Sequence, residues 1–487
     1  MVFKHPKTEI VGSQYSISKN WFYISILSLA FSGLLAFFIS IARIPIIHNH
    51  FSDPTFFKKG LIVHVNFGFL IWLSSFGMAI YSLLIKDSRR TLSFFISLMG
   101  IAILAFSWLF IDGEVILSNY IPMIDHPLFF LGIFLFTTGI FLSFFDANAL
   151  FTTNHNRLPN ISITFIKIFA IAYIIAYELG ILAFFTTPND FPPKEYYEIL
   201  FWGSGHIFVF SIEALKISLW FAVLYSVFKK EFKFKIFLKI IAIAYLMIPL
   251  SSLLVTQYDP YSSPYRSYFT EIMKWGIFPF VSIIIVYIFF ETIQYLKVIK
   301  INNKVQSIQL LSLYLSIFMT IFGFILGSLI RGSNTMIPAH YHASIGAVTL
   351  TLMSFTILLF EYYNLNIQKV FNKYKIYTYQ PILYAIGQTI FATGFALASI
   401  NGQGRKLYGN EQQVKGLLDY IGLSLVGIGG ILAIVAGILF ILLTLTLIVP
   451  ELKKLIIKKP NLLQYFYKIS KYKEIHYGKT SNPEIHG

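Results

Sequence analysis

The chain has no cysteine among its 487 residues. That excludes disulfides, thiolate-held iron-sulfur clusters, a Cys-containing copper centre and a covalently attached c-type haem in this polypeptide, so any such group must belong to a partner. Charge is scarce as well: Asp, Glu, Lys and Arg make up 12% of the residues while 56% are hydrophobic. Long Ile, Leu and Phe runs separated by short basic loops define an all-α, polytopic membrane protein, with the lipid bilayer as its first partner. Acidic residues are the rarer sign, 22 against 38 Lys and Arg, for a formal net charge of +16. In a soluble protein that balance would suggest nucleic acid. Here the cations flank apolar runs instead of forming a folded basic face, so they are topology signals and no nucleic-acid partner is expected. No linker or low-complexity stretch divides the chain, and a single membrane domain over 1–487 is expected.

Apolar runs of roughly 20 residues or more predict twelve spans: 21–44, 60–85, 91–112, 126–147, 161–186, 199–228, 236–256, 270–297, 308–330, 337–363, 378–400 and 421–449. The polar, basic segment 1–20 precedes an apolar run too long for a signal-peptide core and without a convincing cleavage site, so it reads as a cytoplasmic lead into the first helix. A cytoplasmic N-terminus puts Lys86, Arg89 and Arg90, then Arg157, Lys229, Lys230, Lys233, Lys235 and Lys239 on one side. Lys297, Lys300, Lys304, Lys369, Lys373, Lys375 and the Lys-rich tail 450–487 fall on that side too. The opposite loops carry Asp112, Glu114 and Asp125, then Asp190, Lys194, Glu195 and Glu198. This asymmetry obeys the positive-inside rule and predicts both termini inside.

Four histidines fall inside or at the lip of these spans: His64, His206, His340 and His342. The last two form a His-x-His pair. A helix turns about 100° per residue, so side chains at i and i+2 diverge by about 200° and cannot share one small ligand sphere. If both are ligands, they serve two centres. Spans two, six and ten run in the same direction, which places the four imidazoles in one layer roughly 5 to 10 Å below the outer surface. His5, His48, His50, His126, His155, His476 and His486 fall in termini, loops or span ends. A single intramembrane histidine is as readily a helix-to-helix hydrogen-bonding group as a ligand. Four at one depth, including a divergent pair, point to ligation, and neutral imidazole is a strong ligand for haem iron and copper. The Gly- and Phe-rich run HVNFGFLIWLSSFG after His64 suits a planar macrocycle between helices.

With these residues the chain resembles subunit I of the haem-copper oxidase superfamily, cytochrome c oxidases and the related nitric oxide reductases, over essentially all twelve spans. The resemblance implies a low-spin haem between His64 and His342 and a high-spin haem on His340, at which oxygen is reduced. FWGSGHIFVF is similar to the family's sixth-helix segment, which places His206 as a ligand of the active-site copper, with one extra residue in the glycine pattern. GQGRKLYG is similar to the family's Gly-x-Pro-Arg-Arg loop, so Arg405 and Lys406 are implied as partners of haem propionates, with Gly404 where the proline stands. Arg forks suit carboxylates.

The departures are equally specific. The family's adjacent His-His copper ligands at the outer end of the seventh helix are missing: LLVTQYDPYSSPYR puts Thr256 and Gln257 there, and no histidine lies between His206 and His340. One imidazole does not hold copper tightly, which leaves copper doubtful. The sixth-helix tyrosine one turn after the ligand is replaced by Phe210, and Tyr245 or Tyr258 are the available substitutes. Buried ionisable groups mark a pathway or a pair. Glu213 and Lys216, at i and i+3, read as a proton path towards the haem layer, as an approach of Glu213 to a non-haem metal, or as an internal ion pair. Glu178 with Tyr177, and Glu361, are weaker candidates, and Asp146 reads as interfacial.

The expected function is a respiratory membrane haemoprotein of cytochrome c oxidase type. Other oxidase subunits, or a cytochrome or quinol electron donor, would be its partners, and the bacterial plasma membrane its location. His340, His206 and Glu213 are the catalytic candidates. The alternatives are a copper-deficient relative acting as a nitric oxide reductase-like enzyme, a haem electron-transfer or sensor protein, and, in a different class, a membrane transporter. The last is disfavoured by the lack of a half-to-half repeat in the histidines and Gly/Pro breaks.

Overall fold

The computed structural model describes residues 15–48, 54–84, 91–110, 112–145, 150–151, 157–408 and 411–458. His5, His50, His155, His476, His486, the side chain of His48, the cations Lys86, Arg89 and Arg90, Asp146 and the tail beyond 458 lie outside the described residues.

Among the described residues twelve long helices follow one another. They are α1 (Ser16–Ile41), α2 (Thr55–Leu84), α3 (Thr91–Phe110), α4 (Pro127–Phe144), α5 (Asn160–Thr186) and α6 (Trp202–Phe228). Then come α7 (Lys235–Gln257), α8 (Ser263–Leu296), α9 (Lys304–Ser328), α10 (Met336–Tyr362), α11 (Gln380–Ile400) and α12 (Leu417–Lys458). Among the described residues eleven are long and apolar enough to cross a membrane; α3 contributes the shorter apolar stretch Leu92–Phe106. The all-α polytopic architecture expected from the apolar runs is therefore present, with differences at the helix ends. α2 starts at Thr55 and α8 at Ser263, because polar residues continue the helix beyond the hydrophobic window that marks its membrane-spanning part. The chain divides into two compact units, 1–440 and 441–487, with the boundary inside α12.

Three helices form the interior of the bundle. In α2, α6 and α10 the apolar window is 89%, 94% and 89% buried, against at most 50% in the other spans. These are the helices that carry His64, His206, His340 and His342. A helix apolar on all sides belongs in the centre of a bundle, and that is where the four imidazoles are delivered.

Contacts between loops fix which helix ends lie together. An isolated bridge joins Asn334 to Gly404, Thr335 N–H donates to Gln403 O, and Lys58 pairs with Glu411 at 2.5 Å. The starts of α2 and α10 and the α11–α12 loop therefore share one end, here termed the histidine end. Between α3 and α4 a short hairpin, β1 (Glu114–Ile116) antiparallel to β2 (Met123–Asp125), covers that end. At the other end Ser18 bonds Tyr363 at 2.7 Å and Gln306 donates to Val227 O at 3.2 Å. The basic loops around Lys229 to Lys235 and Lys297 to Lys304 lie there.

Candidate functional site

His64 lies on α2 immediately before a π-helical turn, Asn66–Ile71. Such turns shift the helix register locally and are frequent at functional sites. Its Nδ1 is 3.0 Å from Ser32 O and 3.0 Å from Ser32 Oγ, and the same hydroxyl donates to His64 O at 3.0 Å. The carbonyl acceptor makes Nδ1 the protonated nitrogen and leaves the Nε2 lone pair for a metal, the arrangement in which a ligating imidazole is oriented by its second nitrogen. One turn on, Gly68 lets α1 approach: a Cβ there would stand 2.5 Å from Ser32 Oγ. Ser32 and Gly68 had no signal in the sequence, since nothing there indicates which face of α1 meets α2.

His340 repeats the pattern. Its Nδ1 donates to Gly323 O of α9 at 2.7 Å. Gly327, one turn further, exists as glycine because the imidazole occupies its side-chain space: a Cβ would meet His340 Nδ1 at 2.8 Å and Cε1 at 2.9 Å. Gly323 likewise admits Ser344, whose Oγ would be 2.7 Å from an added Cβ. The Gly323-x-x-x-Gly327 face is thus a small-residue seam on which the His-x-His helix rests. His342, two residues on, points to a different side, where Phe391 (4.6 Å between centroids) and Phe395 (5.9 Å, near parallel) of α11 flank it. It also interacts electrostatically with His64. The pair therefore diverges as the helical turn requires, and one member comes near the α2 histidine.

His206, 4% exposed, is held differently. Its Nδ1 donates to Trp202 O at 2.6 Å within its own helix. Around the ring stand Trp202 (4.7 Å), Tyr120 (4.9 Å) and Phe269 (5.9 Å). Tyr120 comes from the tip of the β1–β2 hairpin and has φ of 61°, the left-handed region that non-glycine residues rarely adopt. Burial and the Glu198 carboxylate push its phenol above the ordinary tyrosine range. Sequence reading missed Tyr120, which lies 86 residues from His206 in a loop.

The two loop cations expected beside haem propionates have protein partners. Arg405 Nη1 donates to Asn119 Oδ1 at 2.8 Å, and Lys406 Nζ donates to Leu117 O and Ser118 O. Asn119 in turn donates its N–H and Nδ2 to Glu198 at 3.1 and 2.9 Å. Burial, followed by the Arg405 charge, lowers the Lys406 amine to about 7. Both residues therefore secure the hairpin. A further cation, Arg43, lies near the His342 pocket: its guanidinium packs 4.3 Å from the Tyr408 ring and 5.2 Å from Phe395. Its Nη1 is buried and has no hydrogen-bond partner among the described residues. A buried guanidinium nitrogen of that kind suits an acidic group not supplied by the protein.

Glu213 and Lys216 pair at 2.6 Å, with their side chains 8% and 1% exposed. Lys216 also donates to Thr320 Oγ1 at 3.2 Å and lies 5.0 Å from the Trp220 ring, and Glu213 interacts with His340. Trp220 Nε1 bonds Ser316 and Thr351, both at 3.0 Å. Tyr245 is fully buried, its hydroxyl 3.3 Å from Phe210 O, whereas Tyr258 is 46% exposed. Glu178 and Glu361 are exposed on the protein surface, contrary to the expectation that they are buried, because their positions on α5 and α10 fall on outward-facing sides. Tyr177 bonds Thr138 instead.

The residues present fit haem at three imidazoles: Nδ1 of His64 and His340 is tied to a backbone carbonyl, and His342 packs among aromatic rings with no competing hydrogen bond among the described residues. They do not fit copper. Among the described residues no three His, Cys, Asp or Glu side chains come together in a way that could hold a metal ion. Thr256 and Gln257, where the family's paired ligands would stand, bond back to their own helix at Leu253 O (2.7 Å) and Leu254 O (3.0 Å).

The chain is thus an integral membrane protein with α2, α6 and α10 at its centre, and these helices carry His64, His206, His340 and His342. Its fold is that of a heme-copper terminal oxidase: a solved structure of such an oxidase dimer superposes with a TM-score of 0.67 over 88% of this chain and 83% of the oxidase chain, at 15% identity. No family model matches. A protein of Aquifex aeolicus (strain VF5), described as uncharacterized, is 30% identical over 347 residues, covering 70% of this chain and 84% of the relative. The chain belongs to the same family as that protein. An uncharacterized protein of Rickettsia prowazekii (strain Madrid E) is 25% identical over 493 residues, 88% of this chain and 94% of its own length.

Proposed function

We propose that this protein is a respiratory membrane haemoprotein that binds a low-spin haem between His64 and His342 and a high-spin haem through His340, and reduces a small oxidant, O2, at the second. The observation that supports it most is the common locking of Nδ1 of His64 and His340 onto backbone carbonyls of neighbouring helices, which leaves the Nε2 lone pair of each available to a metal on two central helices of an oxidase-like bundle. The haems, when bound, supply the electron transfer and the oxygen chemistry. The protein's own residues hold and insulate them. Ser32 and Gly323 orient two of the ligands, Phe391 and Phe395 exclude water around the third, and Arg43 offers a buried cation to a carboxylate. Glu213, Lys216 and Thr320 keep a protonatable group near His340 in an otherwise apolar interior. Electrons come from an external cytochrome or quinol, or through partner subunits, because without cysteine the chain holds no iron-sulfur cluster, Cys-ligated copper or c-type haem of its own to receive them. With the basic loops inside, both termini are cytoplasmic and the location is a bacterial plasma membrane.

The test is a reduced-minus-oxidised spectrum of the purified protein. A bis-histidine component that disappears in His64→Ala and in His342→Ala, and a carbon monoxide-binding component that disappears in His340→Ala, are the expected results. A low-spin signal retained in both of the first two variants refutes the assignment.

A further inference from the structure

The surroundings of His206 point to a centre that works without copper. We infer that the His206 side of the reaction site carries no metal ion, and that Tyr120, delivered by the β1–β2 hairpin, occupies the flank of His206 where further metal ligands would have to stand. Tyr120 is then a positioning residue that walls the binding space of a small diatomic gas. The inference rests on the haem reading above for the identity of the opposite centre, but its own content is the donor set around His206.

Three observations carry it. With Nδ1 bonded to Trp202 O, His206 has one nitrogen to offer, and its neighbours are the rings of Tyr120, Trp202 and Phe269. A single imidazole is a weak site for copper, which needs further nitrogen or sulfur donors. The helix end expected to provide them turns away: Gln257 is exposed, and both Thr256 and Gln257 are bonded within α7. The third observation is that the Tyr120 placement is enforced. Its left-handed backbone is a strained state that persists only where its surroundings determine it, and such strain gathers at functional sites.

The determinants come from four parts of the chain. Asn119 is clamped by Glu198 and by Arg405, Lys406 holds the carbonyls of Leu117 and Ser118, and Asn66 of α2 donates to Pro122 O at 2.8 Å. On the receiving side Gly205 has no side chain, and a Cβ there would stand 2.3 Å from Tyr120 Cγ. A ring pressed onto the glycine beside His206 leaves no room on that flank for a ligand reaching the same metal. The loop cations expected to serve haem propionates thus build the support of this ring.

The full chain, purified from copper-replete cells, is analysed for iron and copper. The carbon monoxide adduct of the reduced protein is then photolysed under infrared detection, since a copper(I) ion captures the released gas and gives its own C–O band. Iron without copper and no such band are expected. Copper at one atom per chain, lost in His206→Ala, would overturn the inference and leave the haem reading standing. Absence of iron would overturn the haem reading and with it the gas-walling role of Tyr120, whereas the copper content of the same sample decides the donor set around His206 by itself. For the ring itself, Tyr120→Phe keeps the ring contact with His206 and is expected to leave the C–O stretch and rebinding rate of the haem adduct close to the parent. Tyr120→Ala opens the flank and is expected to shift the stretch and speed rebinding severalfold. If Tyr120→Ala matches the parent in both, the ring has no positioning role.

Discussion

Gly327→Ala tests the His340 pocket with the smallest possible perturbation. The added methyl carbon would lie 2.8 Å from Nδ1 and 2.9 Å from Cε1 of the imidazole. Ordinary contact for such atoms begins near about 3.5 Å, so the ring must retreat by roughly 0.7 Å. The Nδ1 to Gly323 O hydrogen bond, now 2.7 Å, would then stretch to the edge of bonding distance. Overpacking of this kind costs about 1–3 kcal/mol, and loss of the orienting bond about 1 kcal/mol more. A ligand whose outer partner is lost typically holds its metal about 10- to 100-fold less tightly. The expected outcome is a matching fall in occupancy of the carbon monoxide-binding haem, with the bis-histidine component unchanged. Gly33→Ala is the internal control: nothing lies within 4 Å of its would-be Cβ, so it should be neutral or gain up to about 1 kcal/mol from helix propensity. If the two variants bind carbon monoxide equally well, the packing of His340 on Gly327 is not what orients the ligand.

Two further perturbations address stability. Lys216→Met leaves Glu213 buried without its 2.6 Å partner and should destabilise the protein by about 3–5 kcal/mol, whereas Glu213→Gln combined with Lys216→Met should recover much of that loss. Equal melting temperatures of the single and double variants in detergent would refute the pairing argument. Lys406, lowered to about 7 in the fold, gives up a proton that the unfolded chain still binds up to the ordinary lysine range. Stability rises with pH wherever the unfolded state binds more protons. The parent should therefore gain stability relative to Lys406→Met as pH rises from about 7 towards the ordinary lysine range, and parallel melting curves across that window would show that Lys406 does not titrate there.

Much of the site was legible in the chain because a bilayer restricts the possibilities. Helices of at least about 20 apolar residues are needed to span it, so the apolar runs locate the spans, and the fixed turn of a helix separates His340 from His342 before any packing is known. The i, i+3 spacing of Glu213 and Lys216 likewise brings them together on one helix face. Where reading failed, the cause was side-chain direction relative to other helices. Glu178 and Glu361 sit in apolar sequence yet face outward, and nothing in the chain marked Tyr120, 86 residues away, as a neighbour of His206.

The sequence by itself determined the membrane class, the order of the spans and the divergence of the His-x-His pair, since these follow from local hydropathy and helical period. Only the tertiary structure decided which glycines receive an imidazole, which carbonyls orient His64 and His340, and that Tyr120 stands against His206. Those relations are set by how the helices and the hairpin pack, and residues far apart in the chain acquire them only when that packing exists.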